Sequence, residues 1–202
     1  MSRCLIVMAK APVAGFAKSR LVPLLGEAGA AALAERLLVH ALQQAADATF
    51  DTLELCAAPD TTHPLMRRLQ AEHGALLSAQ GEGDLGVRMH RALARALHTH
   101  RHALLIGSDV PALDAAMLQR ADAALAQADA VFVPARDGGY ALVGLRRAEA
   151  SLFEGVDWST SRVMAQTRER AAAAGLHIAE LPPVADIDTP ADLAHLPAGW
   201  KV

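Results

Sequence analysis

Three cations and a glycine crowd one short stretch of the chain, K-A-P-V-A-G-F-A-K-S-R-L at residues 10–21, which holds Lys10, Gly15, Lys18 and Arg20. Cations around a glycine that lets backbone approach a ligand suit anionic phosphate. A P-loop would set glycine directly before its lysine, whereas Ala17 precedes Lys18, so a P-loop ATPase is disfavoured. The competing reading is a solvated loop whose cations face water. A second segment, G-S-D-V-P at 107–111, offers Asp109 as a carboxylate for a hard cation, or alternatively as a helix N-cap before Pro111. The third is A-D-I-D-T-P-A-D-L at 185–193. Thr189 and Pro190 read as a helix start that uses Thr189 and Asp192 and leaves Asp186 and Asp188 free. Either could complete a metal site with Asp109.

These residues need a scaffold that brings them together, and hydrophobic periodicity supplies one. Apolar runs too short for helices predict strands at Leu5–Ala9, Leu53–Ala57, Ala75–Ser78, Ala103–Ile106, Ala130–Pro134, Tyr140–Leu145 and His177–Leu181. Helical stripes fall between them, at Glu27–Ala46, Pro64–His73, Leu85–Leu97, Asp114–Ala126 and Ser161–Ala174, with a short helix begun by Pro190. Alternation of this kind predicts an α/β three-layer sandwich, a mostly parallel sheet covered on both faces. One antiparallel strand is expected, because the Asp137-Gly138-Gly139 turn is too short for a parallel crossover. In such sheets ligands bind beyond the carboxyl ends of the strands. Lys10 to Arg20, Gly107 to Asp109 and Asp137 to Tyr140 all follow strand ends, whereas His98, His100 and His102 precede one.

Other patterns have rival readings. Gly81, Gly83 and Gly86 spell G-x-G-x-x-G, but after a weak strand that is not the first of its sheet, which argues against a dinucleotide fold. The three histidines lack the cysteines or helical spacing of a zinc site. Asp137 to Tyr140 read as a turn. Trp158, Ser159 and Thr160 read as a cap for the following helix, with the indole as a pocket wall.

Composition excludes several classes of function. The 202 residues carry 19 basic and 22 acidic side chains, a net charge of -3 that offers no broad positive field for nucleic acid or an anionic membrane. Aromatic residues at 3% make base-stacking platforms hard to build. The longest apolar run, Cys4–Ala9, is far short of a membrane span. Cys4 and Cys56 lie in strand-like runs, as reduced core residues would. A single cytoplasmic domain over residues 1–202 is expected; the oligomeric state is not legible.

Six segments in order, K-A-P-V-A-G-F-A-K-S-R-L, Q-G-E-G-D-L-G-V-R-M, G-S-D-V-P, D-G-G-Y-A-L-V-G-L, W-S-T-S-R-V and D-I-D-T-P-A-D-L, span nearly the whole chain. Together they resemble the rSAM/selenodomain-associated transferase 1 family, also described as DUF2064. The resemblance implies a nucleotide-diphospho-sugar transferase of GT-A type, similar at a distance to molybdenum cofactor and phospholactate guanylyltransferases. It further implies that Lys18 and Arg20 act on phosphate as catalytic residues with Asp109, and that Lys10, Gly15, Asp84 and Arg88 help bind nucleotide. Asp137, Gly138, Gly139, Tyr140, Trp158, Ser159 and Thr160 would lie by the acceptor. Asp109 and Asp188 would hold Mg²⁺ or Mn²⁺, Asp188 being preferred to Asp186 because it directly precedes Thr189-Pro190, as the relatives' ligand does. Ala14 stands where the family usually has Pro, and Ser19 where it usually has Thr, although Ser19 keeps the hydroxyl. The implied partners are a nucleotide or nucleotide sugar and a small-molecule acceptor. Nucleotidylyl transfer is slightly favoured; the alternatives are glycosyl transfer and a nucleotide-binding module without catalysis.

Overall fold

Seven strands form one sheet in a computed structural model that describes residues 2–200. They are β1 (Arg3–Lys10), β2 (Thr52–Ala58), β3 (Leu76–Ala79), β4 (His102–Gly107), β5 (Ala130–Pro134), β6 (Tyr140–Leu145) and β7 (Ile178–Glu180). Their order is β3-β2-β1-β4-β6-β5-β7, parallel throughout except for β6, which runs antiparallel to both β4 and β5. The Asp137-Gly138-Gly139 turn produces this reversal as expected. It also returns the start of β6 to the edge where the parallel strands end.

Period-two alternation sends the strand side chains into two cores. Leu5, Val7, Leu55, Leu104 and Ile106 face α1 (Val22–Asp47), α2 (Pro64–His73) and α4 (Ala115–Ala124). Cys4, Ile6, Cys56, Leu105 and Phe132 face α3 (Leu85–Leu97) and α5 (Val163–Ala173). Helices on both faces make the three-layer α/β architecture. Both cysteines are free and buried. Among the described residues no helix is long and apolar enough to cross a membrane.

Helix boundaries differ from the periodicity for local reasons. α1 begins at Val22, with Pro23 in its first turn, and is interrupted at Gly26 (φ 70, ψ 167), so the regular leucine stripe starts only beyond the break. α5 begins at Val163, because Ser159 takes a left-handed bend (φ 63) before the helix; its N-cap is Arg162, without a side-chain cap. Of the Trp158-Ser159-Thr160 trio expected to cap it, only Thr160 approaches the role, its hydroxyl accepting from the Arg162 amide at 3.3 Å. The segment begun by Pro190 is a 3₁₀ turn, Pro190–His195.

A third apolar cluster joins the two ends of the chain. Leu21, Ala30, Leu33, Leu37 and Ile187 are buried together, with Leu193 and Trp200 packed against them. Leu21 directly follows Arg20 and Ile187 directly precedes Asp188, so this cluster holds the neighbouring polar groups in register.

Candidate active site

A cleft of about 1290 Å³ opens along the carboxyl edge of the sheet. Of the residues singled out from sequence, Lys10, Lys18, Arg20, Arg88, Asp109, Asp137, Gly139, Tyr140, Trp158, Ser159, Thr160, Asp186 and Asp188 line it. Gly15, Asp84 and Gly138 do not line it but set the backbone of neighbouring segments. Gly15 turns the first loop at φ 79. The Asp84 carboxylate accepts from the Val87 amide at 2.9 Å and caps α3. At Gly138 (φ 95) a Cβ would stand 2.2 Å from the Ser161 carbonyl, so only glycine lets the turn pack against the entry to α5.

The centre of the cleft is an ionic knot. Lys18 Nζ donates to Asp109 Oδ2 at 3.1 Å and lies 3.9 Å from Asp188 Oδ1, while Arg20 Nη1 donates to the other Asp188 oxygen at 2.7 Å. Each piece has a local cause. Lys18 itself is left-handed (φ 47, ψ 48), and its carbonyl accepts from the Leu21 amide as the loop winds into a 3₁₀ turn. Asp109 is free for ligands because Asp114, not Asp109, caps α4, accepting from the Met117 amide at 2.7 Å. Gly107 makes room, since a Cβ there would stand 2.9 Å from the Asp109 carboxylate. Asp188 is presented by the turn behind it: one Asp192 oxygen accepts from the amides of Asp188 and Thr189 and from the Thr189 hydroxyl. Asp186 reaches the same cleft because residues 184–186 run beside the end of β5, Val184 and Arg136 donating to the carbonyls of Pro134 and Val184. Burial pushes the Asp186 carboxyl above its ordinary range, and repulsion from Asp137 and Asp109 acts the same way.

Two side chains that sequence reasoning passed over build the opposite wall. Gln80 is buried, and its amide nitrogen donates to the carbonyls of Ala9 and Cys56 at 3.0 and 3.1 Å, which ties the wall to β1 and β2. Arg91 donates to the carbonyls of Gln80 and Glu82, and Arg88 to that of Gly83. The signal was present in the spacing of Arg88, Arg91 and Arg95, which share one face of α3. The glycines that spell G-x-G-x-x-G serve this packing: a Cβ on Gly86 would stand 2.5 Å from the Trp158 indole. The histidines lie at the far edge, His100 against Thr52 and His102 against Asp122.

The donor set fits a divalent cation completed by a ligand. Asp109 and Asp188 already share one cationic head. Mg²⁺ commonly takes one or two carboxylates and fills its remaining positions with phosphate oxygens and water. Among the described residues no three His, Cys, Asp or Glu side chains gather around a common metal position.

The family model for an "uncharacterized protein conserved in bacteria (DUF2064)" matches residues 41–160. The chain belongs to the DUF2064 family. A provisionally named nucleotide-diphospho-sugar transferase from Desulfovibrio desulfuricans G20 is 31% identical, with a TM-score of 0.85 over 94% of this chain and 84% of that one. Two more distant structures share the fold. The CMP:2-keto-3-deoxy-manno-octonic acid synthetase complexed with CTP is 12% identical, with a TM-score of 0.60 over 96% of each chain. Glucosyl-3-phosphoglycerate synthase from Mycobacterium tuberculosis, in complex with Mn²⁺, UDP and glucosyl-3-phosphoglycerate, is also 12% identical, with a TM-score of 0.59 over 96% of this chain and 75% of that one. No curated protein matches the chain. This DUF2064 member therefore has the nucleotide-diphospho-sugar transferase fold, with its cleft where that fold class places ligands.

Proposed function

We propose that this DUF2064 protein is a metal-dependent nucleotidylyltransferase, residues 1–202 acting as one catalytic domain in the cytoplasm. The observation that carries the reading is the convergence of Lys18 and Arg20 on Asp109 and Asp188. Two cations and two carboxylates at one point suit the transfer of a charged phosphoryl group, which needs positioning and charge stabilisation rather than a nucleophilic side chain.

Asp109 and Asp188 would hold Mg²⁺ or Mn²⁺, which when bound neutralises phosphate charge. Lys18 and Arg20 bind the nucleotide's outer phosphates and stabilise negative charge on the leaving pyrophosphate. Lys10 and Arg88 line the nucleotide half, with Gly15 and Asp84 fixing the loop and helix start that carry it. The acceptor lies toward Asp137, Gly139, Tyr140, Trp158, Ser159 and Thr160, with Gly138 shaping the turn. Its hydroxyl oxygen attacks the α-phosphorus, the bond to pyrophosphate breaks, and the hydroxyl proton passes to solvent.

Cations in the first loop favour this reaction over glycosyl transfer, since departing pyrophosphate carries more charge than a departing nucleoside diphosphate. Product analysis tests it. Purified protein with Mg²⁺, a panel of nucleoside triphosphates and nucleotide sugars, and small-molecule acceptors should release pyrophosphate. Release of nucleoside diphosphate would assign glycosyl transfer instead, and saturable binding without turnover of any donor would assign a binding module.

A further inference from the structure

We infer that the Lys18 ammonium is the resting occupant of the divalent-cation position, so that metal and nucleotide load as a coupled pair. The inference rests on the reading of Asp109 and Asp188 as the cation pair, and adds a second duty for Lys18.

The geometry of the knot supports it. Lys18 Nζ sits 3.1 Å from an Asp109 oxygen and 3.9 Å from an Asp188 oxygen, the two carboxylates assigned to the metal. The fold, rather than the lysine, holds together the two segments that carry them, because the Ile187 amide donates to the Asp109 carbonyl at 3.0 Å and Ile187 is fully buried. The lysine side chain is only 11% exposed, whereas those of Asp109 and Asp188 are 41% and 38% exposed. The ammonium is therefore covered while the carboxylates remain open to the cleft.

A divalent ion bound to both carboxylates at about 2.1 Å would lie against that ammonium, and two cations so close repel strongly. Among the described residues Lys18 ion-pairs with no other carboxylate, so without ligand the knot is its place. A polyphosphate offers the ammonium a more highly charged partner. When Lys18 moves to phosphate, Asp109 Oδ2 and Asp188 Oδ1 are released to the metal, while Arg20 keeps the other Asp188 oxygen. Binding linkage is reciprocal, so the metal in turn favours the phosphate-bound position of Lys18.

The test is Mn²⁺ titration of nucleotide-free, phosphate-free protein, followed by the electron paramagnetic resonance signal of free Mn²⁺. Lys18→Met keeps the stem and removes the charge, and should bind Mn²⁺ more tightly than wild type by roughly tenfold, within the usual range of coupling between sites. Lys18→Gln should behave alike and serves if the methionine variant folds poorly by circular dichroism. Equal or weaker Mn²⁺ affinity in these variants, with binding still lost in Asp109→Asn, would overturn the placeholder role and leave the cation pair standing. Mn²⁺ binding unaffected by Asp109→Asn in either background, or undetectable even without the lysine charge, would remove the cation pair and this inference with it.

Discussion

The Ile187 amide donates a 3.0 Å hydrogen bond to the Asp109 carbonyl, linking the strand-end and late-chain segments that carry the two cleft carboxylates. The bond uses only backbone atoms, so the carboxylate of Asp109 can be neutralised without loosening the clamp. Asp109→Asn and Asp188→Asn should each lower turnover by at least about a hundredfold, the scale of losing one strong electrostatic contact to the reacting group. The melting temperature should stay close to that of wild type. Steady-state kinetics with thermal melts separates the two effects, and full activity in either variant would take that residue out of the reaction.

Gln80 supports the cleft from beneath. Its amide hydrogens are its only route to the carbonyls of Ala9 and Cys56. Gln80→Leu fills similar space and removes both hydrogen bonds, at a cost of about 0.5–1.5 kcal/mol for each. Gln80→Glu should cost more at neutral pH, because it sets a carboxylate against two carbonyl oxygens. Urea denaturation of the three proteins gives the order: wild type most stable, then leucine, then glutamate.

Much of this organisation was legible in the sequence. The seven strands, the antiparallel reversal at Asp137-Gly138-Gly139 and the meeting of the first loop with Asp109 follow from apolar runs, turn chemistry and the rule for strand ends, whereas the choice of Asp188 over Asp186 came only with the family resemblance. Three things were not legible. Asp84 carries the look of a ligand, but an acid at a helix start satisfies orphan amides equally well, and only coordinates show it capping α3. Gln80 has no motif of its own, because its partners are carbonyls of strands distant in sequence. Glycine spacing at 81–86 spells a dinucleotide motif without the strand that motif needs, and at Gly86 it reflects the close approach of the Trp158 ring.

That close approach gives a direct prediction. A Cβ on Gly86 would stand 2.5–2.6 Å from the Trp158 indole, and such overlap forces the ring or its loop to move. Gly86→Ala should shift Trp158 emission, raise KM for the acceptor and leave nucleotide binding little changed. The chain has two tryptophans, so a Trp200→Phe background isolates the signal. Unaltered emission in that background would mean that the start of α3, and not the ring, gives way.

Acid stability should report one pair on the far flank. Arg168 Nε and Nη2 donate to the two oxygens of Glu180 at 2.7 and 2.8 Å, joining α5 to β7. Hydrogen bonding from Arg168 holds the Glu180 carboxyl below its ordinary value of 4.5. A folded value below the unfolded one means the pair stabilises the protein above pH 4.5, and that this contribution is lost as pH falls through the lowered folded value. Both side chains are partly exposed, which limits the contribution to about 0.5–1 kcal/mol. Wild type should therefore exceed Glu180→Gln in urea midpoint by a constant margin from about pH 7 to about pH 5, and the margin should close in stronger acid. A margin that persists once the wild-type carboxyl is protonated would show that the glutamate contributes through packing rather than charge.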